Sequence, residues 1–311
     1  MGVSLLISFS ELNLFDLLNP RKNLDCDEYL ESIRNPIKQD MTRDLIECAS
    51  QIFSQINRRY RVSFQIPIIK IKNESNISAE GMDGIIYISE GLIDYCMSMK
   101  HAFQIDIIGE NKLLVESQEI NFISKMVLTW IFSHEFFHII RMHNRVLEQV
   151  ENTTAILNAI EHDADLCAIA EVYRLLQNKY SLISCDLELR KLTLYSVFWG
   201  IRSLPNENQH STHLALEERM LHMHAKICMV SELDGSGVYP DVNCERPETK
   251  ARIEPLIKVI LFCEEFYSDY FNVPPLVDKW KELLNGHKHL TVVDSWETIR
   301  KNVLKESKTP A

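Results

Sequence analysis

One stretch limits this chain more than any other. From Val127 to Ile140 almost every residue is apolar, yet His134, Glu135 and His138 sit inside the run. Helical spacing across roughly Asn121 to His143 makes this one long helix. Phe136 and Phe137 stand between the polar residues, which suits a buried helix. Polar side chains are costly to bury unless something meets them.

The rest of the 311 residues points to a mostly helical fold. Glycine is scarce, at 9 residues, which disfavours glycine-rich all-β folds and phosphate-cradling loops. Leu45, Ile46, Ala49, Ile52, Phe53 and Ile56 fall at helical spacing within Thr42 to Arg59. Val62 to Lys72 is β-branched and alternating, and reads as a strand, with Pro67 marking an edge or bulge. Asn73 to Gly84 carries loop chemistry, and Ile85 to Ser89 reads as a second strand leading into a helix from Leu92. Further helices are expected over Leu147–Tyr180, Leu187–Ser203, Leu214–Val230, Arg252–Tyr270 and Leu276–Asn285, with a frayed tail after Leu304. The expected class is α+β, predominantly helical, with a small mixed sheet packed on an active-site helix pair. Residues 1–60 read as an N-terminal helical segment, 61–230 as a catalytic core and 231–311 as a helical extension, packed as one body.

Charge and cysteines narrow the setting. The net charge of −11 opposes binding to nucleic acid or to anionic lipid. The eight cysteines form no Cys-x-x-Cys pair. The start has no basic region of a signal peptide, and the longest uncharged apolar stretch, Leu192 to Ile201, is about half a membrane span. A cytoplasmic protein with reduced thiols is expected, with no membrane partner.

His134-Glu135-Phe136-Phe137-His138 has the H-E-x-x-H spacing. Residues four apart share a helix face, so both imidazoles reach one zinc ion. Glu135 is offset beside the fourth coordination position, where it can take a proton from water. A third ligand is needed. His143 lies five residues on, and no glycine lets the chain turn back to make it one. Glu161 is the better candidate: it and Asp165 lie one turn apart on the next long helix. Glu161 completes a His-His-Glu set, and Asp165 accepts the second ring N–H of a zinc histidine, expected to be His134. Ala164 and Ala168 are small enough to let the two helices approach closely. His162 and Asp163 are reserve ligands that point to other faces, and Cys167 is the cysteine expected nearest the site.

The pair H-E-x-x-H and E-x-x-A-D resembles the gluzincin metallopeptidases of the HtpX type and their soluble relatives. That resemblance implies one zinc ion per chain and hydrolysis of a protein or peptide substrate. It also implies a rim strand that pairs with the substrate backbone, here over Ile86, Tyr87 and Ile88. On its own spacing the same segment reads equally as an ordinary core strand. Ser211-Thr212-His213-Leu214 followed by Glu217-Glu218-Arg219 is similar to a Ser-Thr-His-Pro and Glu-x-Arg pattern of the family. By that likeness His213 stabilises the oxyanion and Arg219 ties its segment to an acidic partner, although Leu214 replaces the proline. Arg246-Pro247-Glu248-Thr249 keeps the proline and has arginine in place of histidine.

Among soluble branches, the chain is similar to Lit-type phage-exclusion peptidases and to regulators of the ImmA/IrrE type. The expected function is a zinc endopeptidase acting on an intracellular protein, in defence or regulation. The alternative is a zinc-binding sensor, or an autoinhibited helical interaction protein.

Overall fold

In the computed structural model, residues 23–60, 64–99, 121–182, 184–202, 214–230, 247–286 and 290–306 are described. They form eleven helices and a four-stranded mixed sheet. The class is α+β and predominantly helical.

The chain enters through β1 (Asn23–Asp25), α1 (Cys26–Ser32) and the long α2 (Pro36–Tyr60). β2 (Ile68–Lys72), β3 (Ala79–Met82) and β4 (Ile85–Ser89) follow, then α3 (Glu90–Ser98). α4 (Phe122–Ile140) is the motif helix, and a short α5 (His143–Leu147) follows it. Next come α6 (Thr154–Tyr180), α7 (Asp186–Arg202), α8 (Leu216–Met229), α9 (Pro247–Phe271), α10 (Val277–Gly286) and α11 (Leu290–Glu306). None of the helices among the described residues is long and apolar enough to cross a membrane.

α4 is buried on almost every side. The apolar stripe of α2 covers one face: Phe53 stacks on Phe132 with ring centroids 5.5 Å apart and meets Phe136 edge-on at 5.1 Å. Tyr60 meets Phe137 edge-on at 5.8 Å. The two phenylalanines within the H-E-x-x-H motif thus anchor α4 to α2, and the polar residues turn the other way. There α6 approaches through Ala164 and Ala168, both fully buried. α7 closes a third side, where a side chain at Gly200 would press on the Trp130 ring. One hydrophobic cluster runs from Tyr29 to Trp280 and takes in α4.

The sheet departs from expectation in three ways. Of the strand expected over Val62–Lys72, Val62 and Ser63 lie outside the described residues, and the described part is regular from Ile68, directly after Pro67, which has no N–H for a ladder. The expected loop over Asn73–Gly84 contains β3, joined to β4 by the two-residue turn Asp83-Gly84. Both turn residues have positive φ, 51° and 80°, the conformation that a tight hairpin demands. The strand order is β1-β2-β4-β3, with β4 parallel to β2 and antiparallel to β3. Ile86, Tyr87 and Ile88 therefore lie on an inner strand with both edges already paired. They cannot form the rim that receives a substrate strand, and of the two alternatives the core strand is the one realised. The outer strand on this side is β3.

β3 lies directly on the motif helix. A Cβ at Gly81 would collide with the backbone carbonyl of Glu135. Gly81→Ala is therefore expected to lift β3 off α4 and lower stability by about 1–3 kcal/mol, the usual range for overpacking. Denaturant unfolding measures it, and an unchanged midpoint would show that the contact is not close.

The C-terminal part also differs from expectation. α11 falls within the expected helical extension, although no helix was delimited there. Its Val292, Trp296, Ile299 and Val303 form a second cluster with Val146 and Leu147 of the α5 region and with Ala159 and Ile160 of α6. This helix clasps the two elements that flank the site.

Candidate metal centre

Four residues apart on α4, His134 and His138 turn their Nε2 atoms to within 3.1 Å of each other. Glu161 on α6 brings Oε2 to 3.1 Å from His134 Nε2 and 3.5 Å from His138 Nε2. The three donor atoms form a compact triangle, the one group of this kind among the described residues. A tetrahedral zinc site with bonds of about 2.0–2.1 Å has ligand-to-ligand edges of about 3.3–3.4 Å. The observed triangle has that size, so the donor set fits a single zinc-like ion. The ring edges and carboxylate are largely buried, at 7%, 13% and 10% side-chain exposure.

Each histidine is held from behind. His134 Nδ1 lies 2.9 Å from Asp165 Oδ1. Arg219 on α8 grips the same carboxylate with both arms: Nε donates to Oδ2 at 2.7 Å and Nη2 to Oδ1 at 2.8 Å. Arg219 also stands over the Trp130 ring, 5.6 Å from its centre. The pairing of Glu161 with Asp165 one helical turn on thus gives one carboxylate to the donor triangle and one to the support of His134. Burial works against a charged Asp165, but the charge of Arg219 and the bonds from His134 and Arg219 hold it well below the usual carboxylate range. Burial also works against a charged His134, yet the bonds to Asp165 and Glu161 raise it to about 10. The centre strongly favours positive charge at this ring.

His138 has a different support. After α4 the chain turns at Met142, which adopts the left-handed conformation with φ 54° and ψ 38°. That turn folds His143 back, so that its Nδ1 lies 3.0 Å from His138 Nδ1. The expectation that a turn here needs glycine is corrected: a methionine makes it. His143 is still no ligand of the donor triangle, because its other nitrogen faces Asp163 Oδ2 at 3.3 Å. Asp163 is in turn 3.2 Å from Arg141 Nη1, with both side chains fully buried. Cys167 Sγ stands 3.8 Å from Asp163 Oδ1, so this cysteine does lie beside the site. Burial lowers His143 to about 4, which keeps it neutral near pH 7.

The other sequence candidates are spread more widely. His162 is buried against the ring of His222, 4.5 Å away, and takes no part in the donor triangle. Glu135 is partly buried on the α4 turn that contacts β3, and burial raises its carboxyl above the ordinary range. His213 lies outside the described residues. Its neighbour Leu214 packs on the cluster that contains Ile160, the residue before Glu161. The support of His138 by His143 and Asp163 was not read from the sequence, since its signal is a backbone turn with no local signature.

The chain matches no protein-family model, no curated protein and no solved structure.

Asp165 offers a direct check of the support. Asp165→Asn leaves Arg219 buried without its charge partner, and is expected to cost about 3–5 kcal/mol of stability in metal-free protein. It should also weaken zinc binding by about 10- to 100-fold. Chelator competition and urea unfolding read the two effects separately.

Proposed function

We propose that this chain is a zinc-dependent endopeptidase that cuts an intracellular protein. The observation that supports this most is the convergence of His134, His138 and Glu161 with Glu135 one residue along the same helix. Bound there, zinc supplies a Lewis acid that polarises a carbonyl and makes water more acidic. The chain supplies the rest. Asp165 and Arg219 set the orientation of His134. Glu135, whose raised carboxyl range brings it nearer neutrality, takes a proton from water and returns it to the leaving amine.

The outer strand supports the same reading. β3 pairs with β4 on one side and touches the Glu135 backbone. An extended peptide added to its other edge would run beside the donor triangle, recognised chiefly through its backbone. By resemblance His213 remains the proposed oxyanion donor. The spread of the cysteines, with no Cys-x-x-Cys pair, supports a reducing compartment such as the cytoplasm.

Glu135→Gln separates binding from chemistry. The variant is expected to keep one zinc per chain and to lose cleavage by at least about 100-fold. New protein termini in a lysate, compared between wild type and variant, are the readout. Cleavage by the variant at the wild-type rate overturns the role of Glu135.

A second reading has its own support. α11 packs across α5 and the start of α6, the stretch of chain that links His138 to Glu161. A sensor that holds zinc and changes shape when a partner moves this helix fits that arrangement. If zinc-loaded wild type makes no new termini and the Glu135→Gln protein retains no substrate, the sensor reading replaces the peptidase.

A further inference from the structure

We propose that His143 is a positioning residue for the metal ligand His138, acting as the middle of a buried line from His138 through His143 to Asp163 and Arg141. The inference rests on the metal site above and on no particular reaction.

The proton count along the line allows one arrangement. A metal at His138 Nε2 requires the proton of that ring on Nδ1. This proton points at His143 Nδ1, 3.0 Å away, which must then accept it. An accepting Nδ1 puts the proton of His143 on Nε2, where it donates to Asp163 Oδ2 at 3.3 Å. Asp163 must be an ionised acceptor, and Arg141 stands 3.2 Å from the same oxygen to keep it so. Every polar atom in the line has one role, and the roles agree. The line therefore fixes both the tautomer and the ring plane of His138, as Asp165 does for His134.

The cost of the line argues that it is held for a purpose. Burying the Arg141–Asp163 pair, with both side chains at 1% exposure or less, carries a desolvation penalty that an apolar pair would avoid. The left-handed Met142 adds backbone strain of order 1 kcal/mol or more. The turn brings His143 behind His138, and the ion pair meets its far nitrogen. The two metal histidines thereby have equivalent support, a carboxylate with its own arginine. One is direct, and the other reaches through an interposed imidazole.

The test uses the full-length protein and zinc or cobalt alone, with affinity read by chelator competition and coordination by the cobalt absorption spectrum. His143→Leu is expected to lose about 10- to 100-fold in affinity and to alter the cobalt spectrum. His143→Asn, whose amide oxygen can accept from His138 Nδ1, is expected to recover most of the loss. Asp163→Asn keeps the His143 ring but weakens its anchor, and is expected to fall between wild type and His143→Leu; it carries the test if His143→Leu does not fold. Val259→Ala in α9, a buried residue of a helix that packs on α7 and α8, is the control for destabilisation without a change in the line, and should leave the cobalt spectrum as in wild type. Wild-type affinity and spectrum in Asp163→Asn, or in a folded His143→Leu, overturn the positioning role while leaving the metal site standing. A wild-type protein that binds neither metal, or that binds equally after His138→Ala, overturns the metal site and the inference with it.

Discussion

Everything around the site follows from burying a polar row inside α4. The helix has apolar neighbours on almost all sides, so His134 and His138 lose water when the chain folds. Their partners must come from elsewhere in the chain, and α6 supplies them. It meets α4 through Ala164 and Ala168, small residues that allow the approach, and presents Glu161, Asp163 and Asp165 around them. Successive carboxylates on one helix are then sorted by direction. Glu161 faces the ring nitrogens, while Asp165 and Asp163 pass behind to serve one histidine each.

That sorting shows where a sequence is readable. The spacing of His134 and His138, and of Glu161 and Asp165, belongs to a single helix, and a helix has a fixed period. The donor triangle and the Asp165 support were therefore legible. Arg219 was legible only through the likeness of its segment to a Glu-x-Arg pattern, because its contact with Asp165 joins segments 54 residues apart. His143 was not. The left-handed turn that places it occurs at Met142, a residue with no preference for that conformation, and is imposed by packing between α4, α5 and α6. The absence of glycine was the wrong signal to trust.

The sheet teaches the same lesson in a weaker form. Asp83-Gly84 is a hairpin signal, and with it β3 could have been placed opposite β4. Which strand lies inside is a matter of long-range order. β2 passes beside β4 in parallel after β3 has been set aside, and nothing local in Ile85–Ser89 records that. Ile86, Tyr87 and Ile88 are an inner strand for this reason. The helical character of the C-terminal extension was legible, but the place of α11 was not, because its apolar residues match a surface that only the folded α5–α6 corner creates.

The charges at the centre give the most economical account of why it would hold a cation. Glu135, Glu161, Asp163 and Asp165 bring four carboxylates, and Arg141 and Arg219 bring two fixed positive charges. Both arginines are spent on the two supporting aspartates, so the negative surplus falls on Glu161 and Glu135, at the open side of the triangle. Lys226, another buried cation in the neighbourhood of Asp163, is pushed below its ordinary range by burial. A field of this sign draws protons as well as metal ions, which accounts for the raised range of His134, while burial is the main cause of the raised range of Glu135. Metal and proton therefore compete for the same triangle, and a divalent ion matches the surplus that a single proton only halves. The acidity of the whole chain, −11, has no such local use. The part of it that bears on chemistry is these few buried carboxylates and the two arginines that decide where their charge is felt.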